Sequence, residues 1–232
     1  MNVPLLHVIA TDEVVETPAF LPAAREMIAA GRKRMAIHLR LRRASGRAFH
    51  DLARQLSEAA AEAGAWCVVN GRLDVALTSH AQAVQLGSGS LPVDAARRVS
   101  GGLAIGASVH SADEARARVR EGADYLVAGS VFPTTTHPDR VPAGVALVAS
   151  CARAGAPVVA IGGIDADNAA RVMAAGASGI AVIRACWQAP QPIGAFLQLI
   201  DVASAEGDRR QAADPAVPDA GSAAGTQEGS RC

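Results

Sequence analysis

Lysine is nearly missing from this chain. Lys33 is the only one in 232 residues, and it sits between Arg32 and Arg34 in what reads as a loop, so Schiff-base chemistry on a lysine amine is not expected. An excess of charge is also missing: Lys+Arg and Asp+Glu each number 22, which argues against nucleic acid or a membrane surface as the partner. Cysteine is sparse, and Cys67, Cys151, Cys186 and Cys232 show no paired metal-ligand spacing. The first three lie in apolar contexts and read as buried thiols; no metal site is expected from them. No apolar run is long enough to span a membrane, and the N-terminus lacks a basic-then-apolar leader pattern, so a cytoplasmic location is expected. What is abundant is apolar residues, at 50%, enough for a substantial core.

The most informative stretch is Pro157 to Arg184, PVVAIGGIDADNAARVMAAGASGIAVIR. Val158–Ile161 is a short β-branched run that suits a buried strand. Gly162-Gly163 ends it, Asp165 to Asn168 supplies helix-start chemistry, and a helix from Asn168 to Ala175 is closed by Gly176. A second apolar run, Gly179 to Ile183, follows. Strand, glycine turn, helix and strand make a parallel βαβ unit. Adjacent glycines after a buried strand allow a ligand close to backbone N–H groups, which suits a phosphate; a plain tight turn is the other reading.

Read in order, strands are expected at Leu5–Ala10, Met35–Leu41, Trp66–Asn70, Ala83–Leu86, Leu103–Val109 and Asp124–Ala128, with the seventh and eighth in the stretch above. Helices are expected at Phe20–Ala30, Phe49–Ala63, Leu73–Thr78, Val93–Val99, Ala112–Glu121, Val141–Ala154 and Ala189–Ala205. Ser111 is the expected N-cap of one of them, with Glu114 completing a capping box. Eight strands alternating with helices predict an α/β fold, a single (β/α)8 TIM barrel over residues 1–206, with a doubly wound open sheet as the alternative. From Gly207 to Cys232 the sequence is mostly Ala, Gly, Asp, Pro, Ser and Gln with almost no large apolar side chain, and a disordered tail is expected.

Barrel sites form at the C-terminal ends of the strands. In Ile37-His38-Leu39-Arg40-Leu41-Arg42, alternation puts His38, Arg40 and Arg42 on one face, which would be a positive wall for an anion in the barrel mouth or else a solvated edge. Asn70, Gln85, Ser108, His110 and Ser130 fall at the same end of successive strands. Singly, each reads as a hydrogen-bonded structural group; together they describe a polar pocket. Gly129 to Pro138 is a hydroxyl-rich loop in which Thr134 to Thr136 offer donors to a ligand, unless it is an ordinary proline-bounded connection.

Ala123-Asp124-Tyr125-Leu126-Val127-Ala128-Gly129-Ser130-Val131-Phe132-Pro133-Thr134, followed by Ala160-Ile161-Gly162-Gly163-Ile164 and Gly179-Ile180-Ala181-Val182, resembles the thiamine phosphate synthase/TenI superfamily over most of residues 5 to 200. The resemblance implies a (β/α)8 barrel that acts in thiamine synthesis. It also implies a choice between two activities. The synthase joins a pyrimidine diphosphate to a thiazole phosphate with magnesium held by carboxylates, in an Asn-Asp pair after strand three and an Asp after strand four. Here those positions read Asn70-Gly71 and Ser88-Gly89-Ser90, and Leu41 and Arg42 replace an acidic residue and a lysine. Val84-Gln85-Leu86-Gly87-Ser88-Gly89-Ser90 and Ile105-Gly106-Ala107-Ser108-Val109-His110-Ser111 look closer to the thiazole tautomerase branch, TenI. That branch implies a cofactor-free proton shift aromatising a carboxythiazole phosphate. Its acid/base histidine falls at Ser130.

The leading expectation is therefore a tautomerase. His38 and Ser130 would manage the proton, with His110 as second candidate and His137 entering by loop closure; His7 and His80 are read as structural or solvent-exposed. Arg40, Arg42, Asn70, Gln85, Ser108 and Thr134 would face the substrate. Gly162, Gly163, Val182, Ile183 and Arg184 would hold its phosphate. Expected partners are a small phosphorylated thiazole, no nucleic acid and no membrane, with a homodimer left open. No cofactor is expected, or magnesium if the chain is the synthase. The alternatives are that synthase and a non-catalytic thiazole-phosphate binder.

Overall fold

The computed structural model describes residues 2–134 and 141–213, with side chains through 209. Eight strands, β1 (Leu6–Thr11), β2 (Met35–Arg40), β3 (Trp66–Asn70), β4 (Ala83–Leu86), β5 (Ala104–Val109), β6 (Tyr125–Gly129), β7 (Val158–Ile161) and β8 (Gly179–Val182), pair in sequence order. All pairings are parallel, and β8 returns to β1 with Leu6 opposite Ile180, so the expected barrel is closed and the open-sheet alternative falls. The connecting helices are α1 (Asp12–Val15), α2 (Phe20–Gly31), α3 (Gly46–Ala63), α4 (Leu73–Thr78), α5 (Val93–Val99), α6 (Ala112–Arg120), α7 (Gly144–Cys151), α8 (Ala169–Ala174), α9 (Arg184–Trp187) and α10 (Pro192–Ala213).

The strands read as near-continuous apolar runs because both faces are covered. Side chains that alternate outward, such as Leu6, Val8, Ile37 and Leu39, pack with the helices in one large core. Those that alternate inward form a second core of Ile9, Ala36, Val68, Ala83, Ala104, Tyr125, Val127, Val159 and Ala181. Four of the nine are alanines, so Tyr125 fills the barrel's middle. Its ring needs Gly106: a Cβ there would lie 2.2 Å from Tyr125 Cζ. Burying a side chain of that size contributes roughly 1.5–3 kcal/mol.

Local signals place the helix ends. The Ser45 hydroxyl accepts from Ala48 N–H at 3.2 Å, so α3 starts at Gly46, one turn before the expected Phe49. Ser111 caps α6, accepting from Glu114 N–H at 3.1 Å, while the Glu114 carboxylate accepts from His110 N–H at 2.7 Å, one residue before the cap. α7 is shorter than expected, Gly144–Cys151, and Ala152–Ala154 continues as a 3-10 turn. α9 was not anticipated. Its Trp187 indole N–H donates to Ile9 C=O at 2.9 Å and its ring lies 5.4 Å from Phe20, which ties the end of β8 to β1. α10 continues through Ala213, so the boundary expected at Gly207 falls inside a helix; residues 214–232 lie outside the described residues. No helix among the described residues is long and apolar enough to cross a membrane.

Candidate active site

A cavity of about 500 Å³ opens at the C-terminal ends of the strands. Its size and position are those of a small-ligand site in such a barrel. Two walls of different construction enclose it.

The wall from β1 to β5 is built of side chains. His38 and Arg40, from the inward face of β2, both line the cavity. His38 is buried, with Nε2 2.7 Å from Nδ1 of His7 on β1 and Nδ1 3.1 Å from the Asn70 side-chain oxygen on β3. Burial pushes its pKa down to about 4, against the opposing pull of the Asn70 hydrogen bond. His7 is fully buried, one layer below. Burial and then the neighbouring His38 hold it well below the ordinary histidine range, although its Nε2 hydrogen bond to Pro4 C=O at 3.0 Å pulls the other way. Arg40 is half-buried, and burial followed by the nearby Arg42 charge lowers its pKa. Gln85 on β4 donates to the Ser108 hydroxyl on β5 at 3.1 Å. Gln85 Oε1 and the Tyr125 hydroxyl are buried without a partner among the described residues.

Arg42 does not join this wall. β2 ends at Arg40, and the buried Asp12 carboxylate accepts from the backbone N–H groups of Arg42 at 2.9 Å and Arg43 at 3.0 Å. That clamp takes the chain out of strand geometry. The Arg42 side chain is exposed and outside the cavity, so the alternation that grouped it with His38 and Arg40 stops one residue pair too late.

The wall from β6 to β8 is largely backbone and small residues. Gly129, Ser130, Pro133, Thr134, Gly162, Gly163, Val182, Ile183 and Arg184 all line the cavity. Gly162 and Gly163 have φ of 109° and 64°, a region that other residues rarely adopt. They are also crowded: a Cβ on Gly162 would lie 2.8 Å from Ser130 Cα, and one on Gly163 2.4 Å from Pro133 C=O. The glycines thus serve the packing of the β6 loop as well as the cavity floor. The Asp165 carboxylate accepts from Asp167 and Asn168 N–H at 3.1 and 3.2 Å, and Asn168 donates to Gly163 C=O at 3.0 Å, which holds that turn in place. His110 lines the cavity from β5's end, its Nδ1 hydrogen-bonded to Gly129 C=O, the last residue of β6.

Among the described residues the structure brings together every expected site residue except Arg42, while Thr135, Thr136 and His137 lie outside the described residues. His7, read as structural or solvent-exposed, is buried and structural, although its partner 31 residues away was not foreseen; Asp165 was given only a helix-start role although it also lines the mouth. Cys67, Cys151 and Cys186 are buried free thiols as expected, and burial pushes Cys67 and Cys186 up to about 12, far from nucleophilic range.

The magnesium implied by a synthase does not fit the side chains present. A Cβ on Gly71 would lie 3.7 Å from Ser90 Oγ, so the two segments expected to carry the ligands do meet in space. Yet Gly71 offers no side chain, and Ser90 Oγ accepts from Gly87 N–H at 3.0 Å. No group of three or more His, Cys, Asp or Glu able to hold a metal occurs among the described residues.

Comparison with known proteins bears on the two activities. A thiamine-phosphate synthase of Pyrococcus horikoshii is 42% identical over 150 residues, covering 64% of this chain and 72% of the relative. One of Chloroflexus aurantiacus is 43% identical over 165 residues, covering 70% and 76%. A solved thiamine phosphate pyrophosphorylase of Pyrococcus furiosus superposes with a TM-score of 0.79 at 36% identity, covering 88% of this chain and 98% of that one. The two curated relatives carry the synthase name and none of the three a tautomerase's, which overturns the expected tautomerase assignment and its isomerase chemistry at His38, His110 and Ser130. The strand-four and strand-five motifs that suggested it are short stretches, seven residues each. The thiamine monophosphate synthase family model matches residues 6–186, and the chain belongs to that family.

Proposed function

We propose that the chain joins a pyrimidine diphosphate to a thiazole phosphate, as its relatives' name indicates. The supporting observation is one cavity holding a glycine cup and a basic side-chain wall, in a chain more than 40% identical to named synthases over most of their length. In this reading Gly162, Gly163, Val182, Ile183 and Arg184 receive the thiazole phosphate through backbone N–H groups and one guanidinium. Arg40, with Ser130 and Thr134, faces the diphosphate. The thiazole nitrogen forms a C–N bond to the pyrimidine methylene carbon as the C–O bond to diphosphate breaks, and pyrophosphate leaves with that electron pair. Arg40 is permanently charged and placed to stabilise the departing anion. Gly71 and Ser90 give magnesium no carboxylate, so the charge neutralisation in this reading falls to Arg40.

One observation favours a second reading, a binder of thiazole phosphate without turnover: the uncharged Gly71–Ser90 contact. The test is to incubate both phosphorylated halves with the protein, with and without magnesium, and measure thiamine phosphate and pyrophosphate. Equimolar release of both products supports the synthase. Calorimetric binding of thiazole phosphate with no product over buffer supports the second reading, and no binding removes both.

A further inference from the structure

His7 touches nothing in the cavity, yet it is a fully buried imidazole bonded to one that does. The order of hydrogen bonds fixes where its proton sits. Pro4 C=O can only accept, so His7 Nε2, 3.0 Å away, carries the hydrogen. A neutral His7 then has a bare Nδ1. The nitrogen 2.7 Å from it, His38 Nε2, must donate. The reverse arrangement would set a bare His7 Nε2 against a carbonyl oxygen, or require a buried imidazolium. A neutral His38 is left with a bare Nδ1, and the atom 3.1 Å from it as placed is the Asn70 amide oxygen, which would set two acceptors face to face. The two ends of that amide interchange by a half-turn, so the NH2 end donates to His38 and Oδ1 becomes an acceptor at the cavity wall.

We propose that His7 is a positioning residue, which imposes the Nε2–H tautomer on His38 and thereby turns the Asn70 carbonyl oxygen toward the ligand, to read an N–H donor. The chain runs Pro4 C=O, His7, His38, Asn70, across β1, β2 and β3. It deepens the synthase reading by assigning to Asn70 a heterocycle N–H rather than a phosphate oxygen, and it rests on that reading only for the identity of the ligand. Burial keeps both rings neutral at neutral pH, the condition under which the tautomer matters.

The experiment is nitrogen NMR on ligand-free, histidine-labelled protein at neutral pH, because a bare imidazole nitrogen resonates far downfield of an N–H. Expected are Nε2–H with bare Nδ1 for both rings. His38 found with Nδ1–H and bare Nε2 would overturn the proposal. In His7→Phe the acceptor is gone, and His38 should become a tautomer mixture. In His7→Gln, whose amide oxygen can accept, the single tautomer should return. A His38 that keeps one Nε2–H tautomer in His7→Phe also overturns it. If His7→Phe does not fold, the wild-type and His7→Gln spectra decide. The spectra need no substrate, so an inactive protein in the coupling assay leaves them standing, and a wrong tautomer leaves the synthase reading standing.

Discussion

The two walls of the cavity are made in opposite ways. From β6 to β8 the cup is backbone, and its shape is set by glycines that the neighbouring loop crowds. From β1 to β3 it is side chains, and its shape is set by a hydrogen-bonded chain running down into the barrel. A backbone wall fails sterically when changed. A side-chain wall fails through charge and protons. The difference predicts which substitutions hurt stability and which hurt only binding.

The largest effect should come from Gly163→Val. It forces a β-branched residue to φ 64° and into Pro133 C=O, and it should cost on the order of 3 kcal/mol, with loss of phosphate-ligand binding. Urea unfolding measures the first, calorimetry the second; a fully stable variant would break the contrast between the walls.

Acid should separate the walls next. His38 has a folded pKa near 4 against about 6.5 unfolded, so between those values the unfolded chain binds the extra proton. Stability is then complete above about pH 6.5 and falls as pH drops toward 4, by about 3 kcal/mol from this residue, with His7 acting in the same direction. Unfolding titrations of wild type and His38→Gln across that window should show a much flatter dependence in the variant. Equal slopes would remove the buried imidazoles from the side-chain wall.

Arg40→Ala should leave thermal stability nearly unchanged and weaken pyrophosphate binding on the order of 10- to 100-fold, the worth of a charge-assisted hydrogen bond. The smallest effect belongs to Arg42→Ala. Its side chain is exposed, and only its backbone N–H engages Asp12, so stability should move by less than about 0.5 kcal/mol and pyrophosphate affinity hardly at all. A loss matching that of Arg40→Ala would return Arg42 to the cavity.

The backbone wall was the more legible of the two. Gly162 and Gly163 announce themselves because few residues can follow a buried strand in that conformation, and alternation alone put His38 and Arg40 on the inward face. Alternation could not show where β2 stops, because the stop is set by Asp12, on another element. His7 lay hidden for the same reason: between Leu6 and Val8 it reads as one polar residue in a buried strand, and its role exists only through His38. α9, at four residues, was too short to carry a period. The synthase assignment was hidden by the carboxylates missing at Gly71 and Ser90, which pulled the reading toward the wrong branch.

Trp187 gives the barrel a built-in optical gauge. Its indole bridges the seam where the last strand meets the first, and the only other tryptophan, Trp66, is on β3. With Trp66 replaced by phenylalanine, emission from the remaining fluorophore would report whether the ring of strands has zipped shut, together with the seating of α9 on α2.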